Sequence, residues 1–423
     1  MDLTIIKNSM FLNEDMELIN GNVIVIRNGV IHSIISDEPN CFPNKVIDAN
    51  NLLIVPSFIN SHYHLGETIY RSFADTSSLE NYLAFTENAS QFLNSESHHN
   101  IAIISLIEAI KSGTSVISCA RGWNAVQQIG IRGNLGYPLM KSTKLKQFYN
   151  DFDHFYINKS KKFPIVFQTG NIQIILGLWI HSLEYIDNDV LKKISKIYNS
   201  NSETYLSIHV SETKKQVINN FKKYGMTEIE VLDKYGLLAE KTNIVHANYI
   251  NNNDFDLIAN KKANITICPV SNKILNTRLP NLPILQSLGI NISIGTDGLA
   301  TSYSASILEH ATFTYLFYRE FNINSNQLFK MITLNPAKTI GFKNSGAIKI
   351  GFVADFNFFD LNDSRLYPLD NAISNILFNN IRPIHVMVDG KFVMKDRKLI
   401  NINEREAINL FCSIRKKIGG FYL

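Results

Sequence analysis

Cysteine is scarce in this chain. Cys41, Cys119, Cys268 and Cys412 are the only four, they stand far apart, and no C-x-x-C pair occurs. That spacing argues against both a disulfide framework and a structural zinc knuckle. Long apolar runs are missing as well. The longest, such as "IQIILGLWI" at 172–180, are strand-sized and fall short of the ~18–20 residues of a membrane helix. The opening "MDLTIIKNSMFLNED" has no positive stretch followed by an apolar core, so no secretory leader is expected and the chain reads as cytoplasmic. Charge of one sign forms no block: 41 basic and 37 acidic residues are scattered to a net +4. Neither nucleic acid nor a membrane is therefore expected as a partner, which leaves a small molecule. Internal repeats and low-complexity tracts are absent too.

With 45% hydrophobic residues over 423, there is ample material for a large core. Residues 1–54 read as all-β, with β-branched runs broken by turn residues, and Asn28-Gly29 supplies a type I′ hairpin signal. From 55 to 345 short apolar strands alternate with segments of helical period. The strands are "VPSFIN", "TSVISC", "IRGNLG", "IQIILG", "YLSIHV", "TNIVHA", "NITICP" and "ISIGTD". Eight such βα units over ~250 residues predict an α/β fold, a (β/α)8 TIM barrel. Residues 346–423 return to β, with a second hairpin signal at Asp389-Gly390. The two terminal β regions are expected to pair into one small composite β-sandwich.

In such a barrel the active site is built at the C-terminal ends of the strands. Those ends carry His62 and His64 on the first strand, His209 with Glu212 on the fifth, His246 on the sixth and Asp297 on the eighth. The seventh ends in "CPVSN", which offers no ligand. Three imidazoles and a carboxylate suit zinc or a similar divalent ion and leave a position for water, whose pKa falls toward ~7. Glu212 is then placed to shuttle a proton, and His246 to polarise the attacked carbon. A single strand-end histidine is more often a satisfied structural residue, and Asp297 before Gly298 could be a turn; agreement among several strand ends is what favours a metal site. Arg121 and Trp123, after the second strand, either shape the pocket or form a stacked structural pair.

Taken together, "VPSFINSHYH", "IHVSET", "VHANY", "CPVSNKIL", "IGTDG" and "NPAKTIGF…GAIKIGFVADF" resemble, in order, the signatures of the amidohydrolase superfamily. The resemblance implies a metal-dependent hydrolase with ligands His62, His64, His209 and Asp297. The fourth strand has no lysine for a carbamylated bridge, which implies one metal ion, zinc first and iron second. His209 with Glu212 and then His246 is similar to the deaminase and chlorohydrolase branch, where Glu212, His246 and Asp297 would be catalytic. Within that branch the chain resembles the S-adenosylhomocysteine/methylthioadenosine and aminofutalosine-type deaminases. That likeness implies substrate contacts at Tyr82, Arg132 and His181, a looser one at Glu87, and a homodimer. The expected reaction is hydrolytic deamination of an adenine-type nucleoside or a related purine or pterin. The alternatives are a triazine-type chlorohydrolase or amide hydrolase, and a non-catalytic binding protein that kept the barrel.

Overall fold

The computed structural model describes residues 2–37, 39, 42–71, 79–136, 138–139, 166–169 and 172–418. Both ends of the chain meet in one nine-stranded sheet. Leu3–Leu12 pairs antiparallel with Leu18–Arg27, which turns at Asn28-Gly29 into Val30–Ile35. Asn28 and Gly29 have φ of 49° and 80°, the left-handed pair that a type I′ turn demands. The C-terminal strands join through Phe356–Asp360, antiparallel to Leu52–Pro56. Ile6, Phe11, Ile24, Ile54, Phe356 and Phe358 are buried together inside this composite unit.

Between the two halves runs the barrel. Its strands are Phe58–His64, Thr114–Cys119, Arg132–Leu135 continued by Pro138–Leu139, Ile172–Leu176 continued by Leu178–Ile180, Leu206–Val210, Thr242–His246, Asn264–Ile267, and Ile292–Ile294 with Asp297–Gly298. All neighbouring pairs are parallel. The ring closes where Asp297 pairs with Tyr63 and Gly298 with His64. Amphipathic helices cover the outside. Asn188–Ser200 buries Val190, Leu191, Ile194 and Tyr198, a stripe at helical spacing, and Thr227 with Glu230 forms a capping box that starts Glu228–Lys234. Among the described residues no helix is long and apolar enough to cross a membrane.

The barrel interior beneath the strand ends is polar. Thr266 Oγ1 donates to Asn243 Oδ1 (2.7 Å) and lies 3.0 Å from Ser61 Oγ, and Asn243 Nδ2 donates to Ser207 Oγ (3.3 Å). These fully buried groups satisfy one another, as buried polar atoms must. They form a fixed floor on which the strand-end side chains stand.

Candidate metal centre and its surroundings

His62 and His64 leave the first strand on the same face, with rings 4.7 Å apart. Pairing of this strand with Thr114–Cys119 shifts register between Asn60 and Tyr63, a bulge of the kind that re-aims side chains at barrel rims. His62 is held closely from behind: a Cβ on Gly295 would lie 2.8 Å from His62 Cβ, so the glycine of "IGTDG" is needed for the two strands to approach. Trp179 stacks on the His62 ring at 5.4 Å.

The ligand atoms of His62, His64, His209 and Asp297 all lie within 4.8 Å of one another. Asp297 Oδ1 is 3.4 Å from His62 Nε2 and 3.2 Å from His64 Nε2, and His209 Nε2 is 3.1 Å from His62 Nε2. Two imidazole nitrogens aimed at each other and at a carboxylate in a buried cleft fit a cation between them, and the set has the N/O chemistry and count of a catalytic divalent site. Burial drives His62 down to about 4 and His209 well below its usual value, so both imidazoles are neutral and able to ligate. Burial would lower His64 too, but the charges of Glu67 and then Asp297 and Glu212 outweigh it and hold the ring near 9. Burial would raise Asp297, yet hydrogen bonding to His62 and His64 keeps it well below the carboxylate range.

Several strand ends adopt left-handed backbone: φ is 51° at Ser211, 75° at His246, 56° at Ala247 and 63° at Asp297. Non-glycine residues adopt this region at a cost of ~1–3 kcal/mol each, and such residues gather at functional sites. At Ser211 the conformation is secured by a buried carboxylate. Glu228 accepts from Ser211 N (2.6 Å), Ser211 Oγ (2.8 Å) and Gln216 Nε2 (2.9 Å). Gln216 in turn accepts from Glu212 N (3.0 Å) and donates to His209 O (3.3 Å). This network fixes the short turn that sends His209 and Glu212 to their separate places.

Glu212 and His246 stand at the edge of the cluster. Glu212 Oε1 is 3.8 Å from His246 Nε2, which is 4.0 Å from Asp297 Oδ2. Burial pushes the Glu212 carboxyl up. The "CPVSN" segment, read from the sequence as lacking ligands, supplies partners instead. Ser271 Oγ donates to Asp297 Oδ2 (2.7 Å), and Asn272 Oδ1 lies 3.0 Å from His246 Nδ1. Asn272 Nδ2 donates to Asn248 Oδ1 (2.9 Å), and Asn248 Nδ2 donates to the Glu212 carbonyl (3.0 Å). A carbonyl can only accept, so the chain runs in one direction and requires the His246 proton on Nδ1. Nε2 therefore faces Glu212 and Asp297. No ligand spacing marks Ser271 or Asn272; their adjacency to a strand end was the only signal.

The expected substrate contacts divide. Tyr82, on helix Leu79–Ser90, is buried facing Glu67, and that burial, with the Glu67 charge, lifts its phenol well above the usual value. His181 follows the fourth strand, with its ring 5.0 Å from His209. Arg121 is exposed after the second strand, and its charge reaches Glu67. Trp123 begins helix Trp123–Ile129 and directs its indole N–H to Gly136 O (3.5 Å) at the end of the third strand. The Glu87 side chain lies outside the described residues. Arg132 is a correction. It opens the third strand and faces the opposite end of the barrel, 2% exposed, where it pairs with Asp355 and donates to Ser345 Oγ (2.6 Å). A guanidinium buried and paired there holds the fold together and cannot touch a substrate at the strand C-termini. Glu67, not singled out from the sequence, lies 3.9 Å from His64 Nδ1.

A model of the amidohydrolase family matches residues 157–393. A 5-methylthioadenosine/S-adenosylhomocysteine deaminase of Pyrococcus furiosus is 28% identical over 97% of this chain and 99% of its own length. A 5'-deoxyadenosine deaminase of Methanosphaera stadtmanae is 27% identical, with 96% of both chains covered. Among solved structures, an adenosine deaminase from Xanthomonas campestris with bound zinc has a TM-score of 0.87 at 18% identity, covering 99% of this chain and 98% of that one. An atrazine chlorohydrolase from Arthrobacter aurescens complexed with zinc also has a TM-score of 0.87, at 17% identity over 97% and 100%. At those identities the structural likeness concerns the fold. The family model spans most of the chain, the barrel and terminal sheet have the matching architecture, and the His-x-His, His and Asp side chains meet at the strand ends: the chain belongs to the amidohydrolase family.

Proposed function

We propose that this protein is a metal-dependent hydrolytic deaminase that releases ammonia from an aminated N-heterocycle, an adenine-type nucleoside first of all. The observation that carries the reading is the meeting of His62, His64, His209 and Asp297 in one cluster, with Glu212 and His246 at its edge. These four donors would hold the ion. The neighbours solved with zinc support zinc, and iron would use the same donors. An ion held there supplies Lewis acidity and water acidified to near-neutral pKa.

The chain's own residues do the rest. Glu212, whose buried carboxyl holds its proton more tightly than an exposed one, donates that proton to the ring nitrogen beside the amine-bearing carbon. His246, its Nδ1 tied to Asn272, presents Nε2 to the carbon under attack. Asp297 accepts the proton of the attacking water at Oδ2, where Ser271 holds the carboxylate in place. That proton passes to the amine, which leaves as ammonia as the C–O double bond forms, and the proton of the added hydroxyl returns to Glu212. Tyr82, Arg121 and His181 contact the remainder of the substrate, with Trp123 as an outer contributor.

The names of the full-length relatives support an adenine ring, which 5-methylthioadenosine, S-adenosylhomocysteine and 5'-deoxyadenosine share. The test is a panel: these nucleosides, adenosine, a pterin, a pyrimidine and a chlorotriazine are offered to zinc-loaded protein. Ammonia is expected in step with conversion of an adenine-type to a hypoxanthine-type absorption spectrum. Chloride from the triazine without ammonia from any amine would overturn the reading.

A further inference from the structure

A second group of donors lies in the same cleft. His246 Nε2 or Nδ1, Cys268 Sγ and an Asp297 carboxylate oxygen come within 4.8 Å of one another, and all three residues are buried. They stand on successive strands: His246 ends Thr242–His246, Cys268 follows Asn264–Ile267, and Asp297 begins Asp297–Gly298. Asp297 faces both groups. Its Oδ1 lies beside His62 and His64, while Oδ2 is 4.0 Å from His246 Nε2. The Asn272 bond places the His246 proton on Nδ1, so Nε2 turns a lone pair toward this space. Glu212 Oε1, 3.8 Å from that nitrogen, offers a further oxygen. A thiolate, an imidazole nitrogen and carboxylate oxygens form a donor set that suits zinc and, better, a softer ion such as cadmium. Cys268 has no part in the deamination described above.

We infer that Cys268, His246 and Asp297 form a second, inhibitory metal site that shares the Asp297 carboxylate with the first. On binding, the S–H bond ionises, its proton leaves to solvent and a sulfur–metal bond forms, with no change of oxidation state. The ion takes the His246 nitrogen and confronts Glu212, so His246 is lost to the carbon under attack and Glu212 to proton transfer. The existence of the site stands independently of the reaction; only the inhibition rests on the proposed deamination.

The test titrates cadmium chloride into holoenzyme carrying one equivalent of zinc. Cys41→Ser and Cys412→Ser are present in every sample, which leaves Cys119 and Cys268 as the remaining thiols. One further equivalent should raise a thiolate-to-cadmium charge-transfer absorption and lower turnover at least ~10-fold, since a single proton-transfer group is worth ~10²–10⁴. Cys268→Ala and Cys268→Ser should keep their zinc and cadmium-free turnover, show no such absorption and resist the same cadmium. An absorption that persists in both variants assigns the binding to Cys119 and overturns the inference. So does inhibition of equal size without the absorption, the result of cadmium displacing zinc from the nitrogen and oxygen ligands. If wild type releases no ammonia before cadmium is added, the deaminase reading fails alone, and the absorption still decides the site.

Discussion

The proton on His246 Nδ1 is fixed through three hydrogen bonds. The Glu212 carbonyl accepts from Asn248, Asn248 accepts from Asn272, and Asn272 accepts from the imidazole. Asn272→Ala breaks that order without touching the four metal donors. Turnover should fall ~10–100-fold, the usual cost of losing a partner that orients a functional histidine, while elemental analysis finds the metal unchanged. Metal loss in proportion to activity would contradict the positioning role. Glu212→Gln keeps the shape of the side chain and removes the transferable proton. It should cost ~10²–10⁴ in ammonia release, again with metal retained. A variant as active as the parent would remove Glu212 from the mechanism. Replacing His209, in contrast, should weaken the hold on the ion itself, read as lower metal content after dialysis, because one of the four donors is gone.

At the scale of elements, two hairpins and one strand end show how local chemistry sets local structure. In the turn between His385–Val388 and Lys391–Lys395, Asp389 has φ of 50° and its carboxylate lies against Gly29, where a Cβ would be 2.0 Å from Oδ1. Burial, and then the neighbouring Asp355, push the Asp389 carboxyl up to about 7, against ~3.9 in an unfolded chain. Between those values the folded protein binds the additional proton, so stability falls as pH rises and the contribution is gone above the folded value. Asp389→Asn tolerates the same left-handed backbone and never ionises. Its melting temperature should exceed that of wild type near pH ~8 and match it near pH ~4. Equal melting temperatures at both would contradict the assignment. These hairpins were legible beforehand because Asn-Gly and Asp-Gly state their backbone angles in their composition. The eight barrel strands were legible for a similar reason, as β-branched runs of strand length separated by helical periods. The support for His209 and Glu212 was not. Glu228, Gln216 and Ser211 meet only through a folded turn, and a buried glutamate has no local mark that separates it from an exposed one. Arg132 was misplaced because the family likeness of "IRGNLG" implied a substrate contact there, whereas its position at the start of the strand sends it to the far end of the barrel.

Across the whole molecule, that far end is where barrel and terminal sheet are joined. Arg132 of the third barrel strand meets Asp355 just before Phe356–Asp360, both side chains 2% exposed. Asp355 also accepts from Asp389 N (2.8 Å), and Asn357 Nδ2 donates to Gly113 O (2.9 Å). Asp355→Ala strands a buried guanidinium and should destabilise the protein by ~3–5 kcal/mol, read as an earlier denaturation midpoint with catalytic constants intact in the folded fraction. The two ends of the barrel therefore have different tasks: one closes the fold, the other gathers residues from His62 to Asp297 that sequence alone keeps far apart. The claim that this gathering makes a single-ion deaminase is tested most directly by reconstitution. Chelator-treated protein is titrated with zinc while ammonia release from 5'-deoxyadenosine and its 5'-modified relatives is followed. The account predicts no release without metal and a rise that breaks at one equivalent per chain. Ammonia release by the metal-free protein at the loaded rate, or its absence across the nucleosides at one bound equivalent, would contradict it.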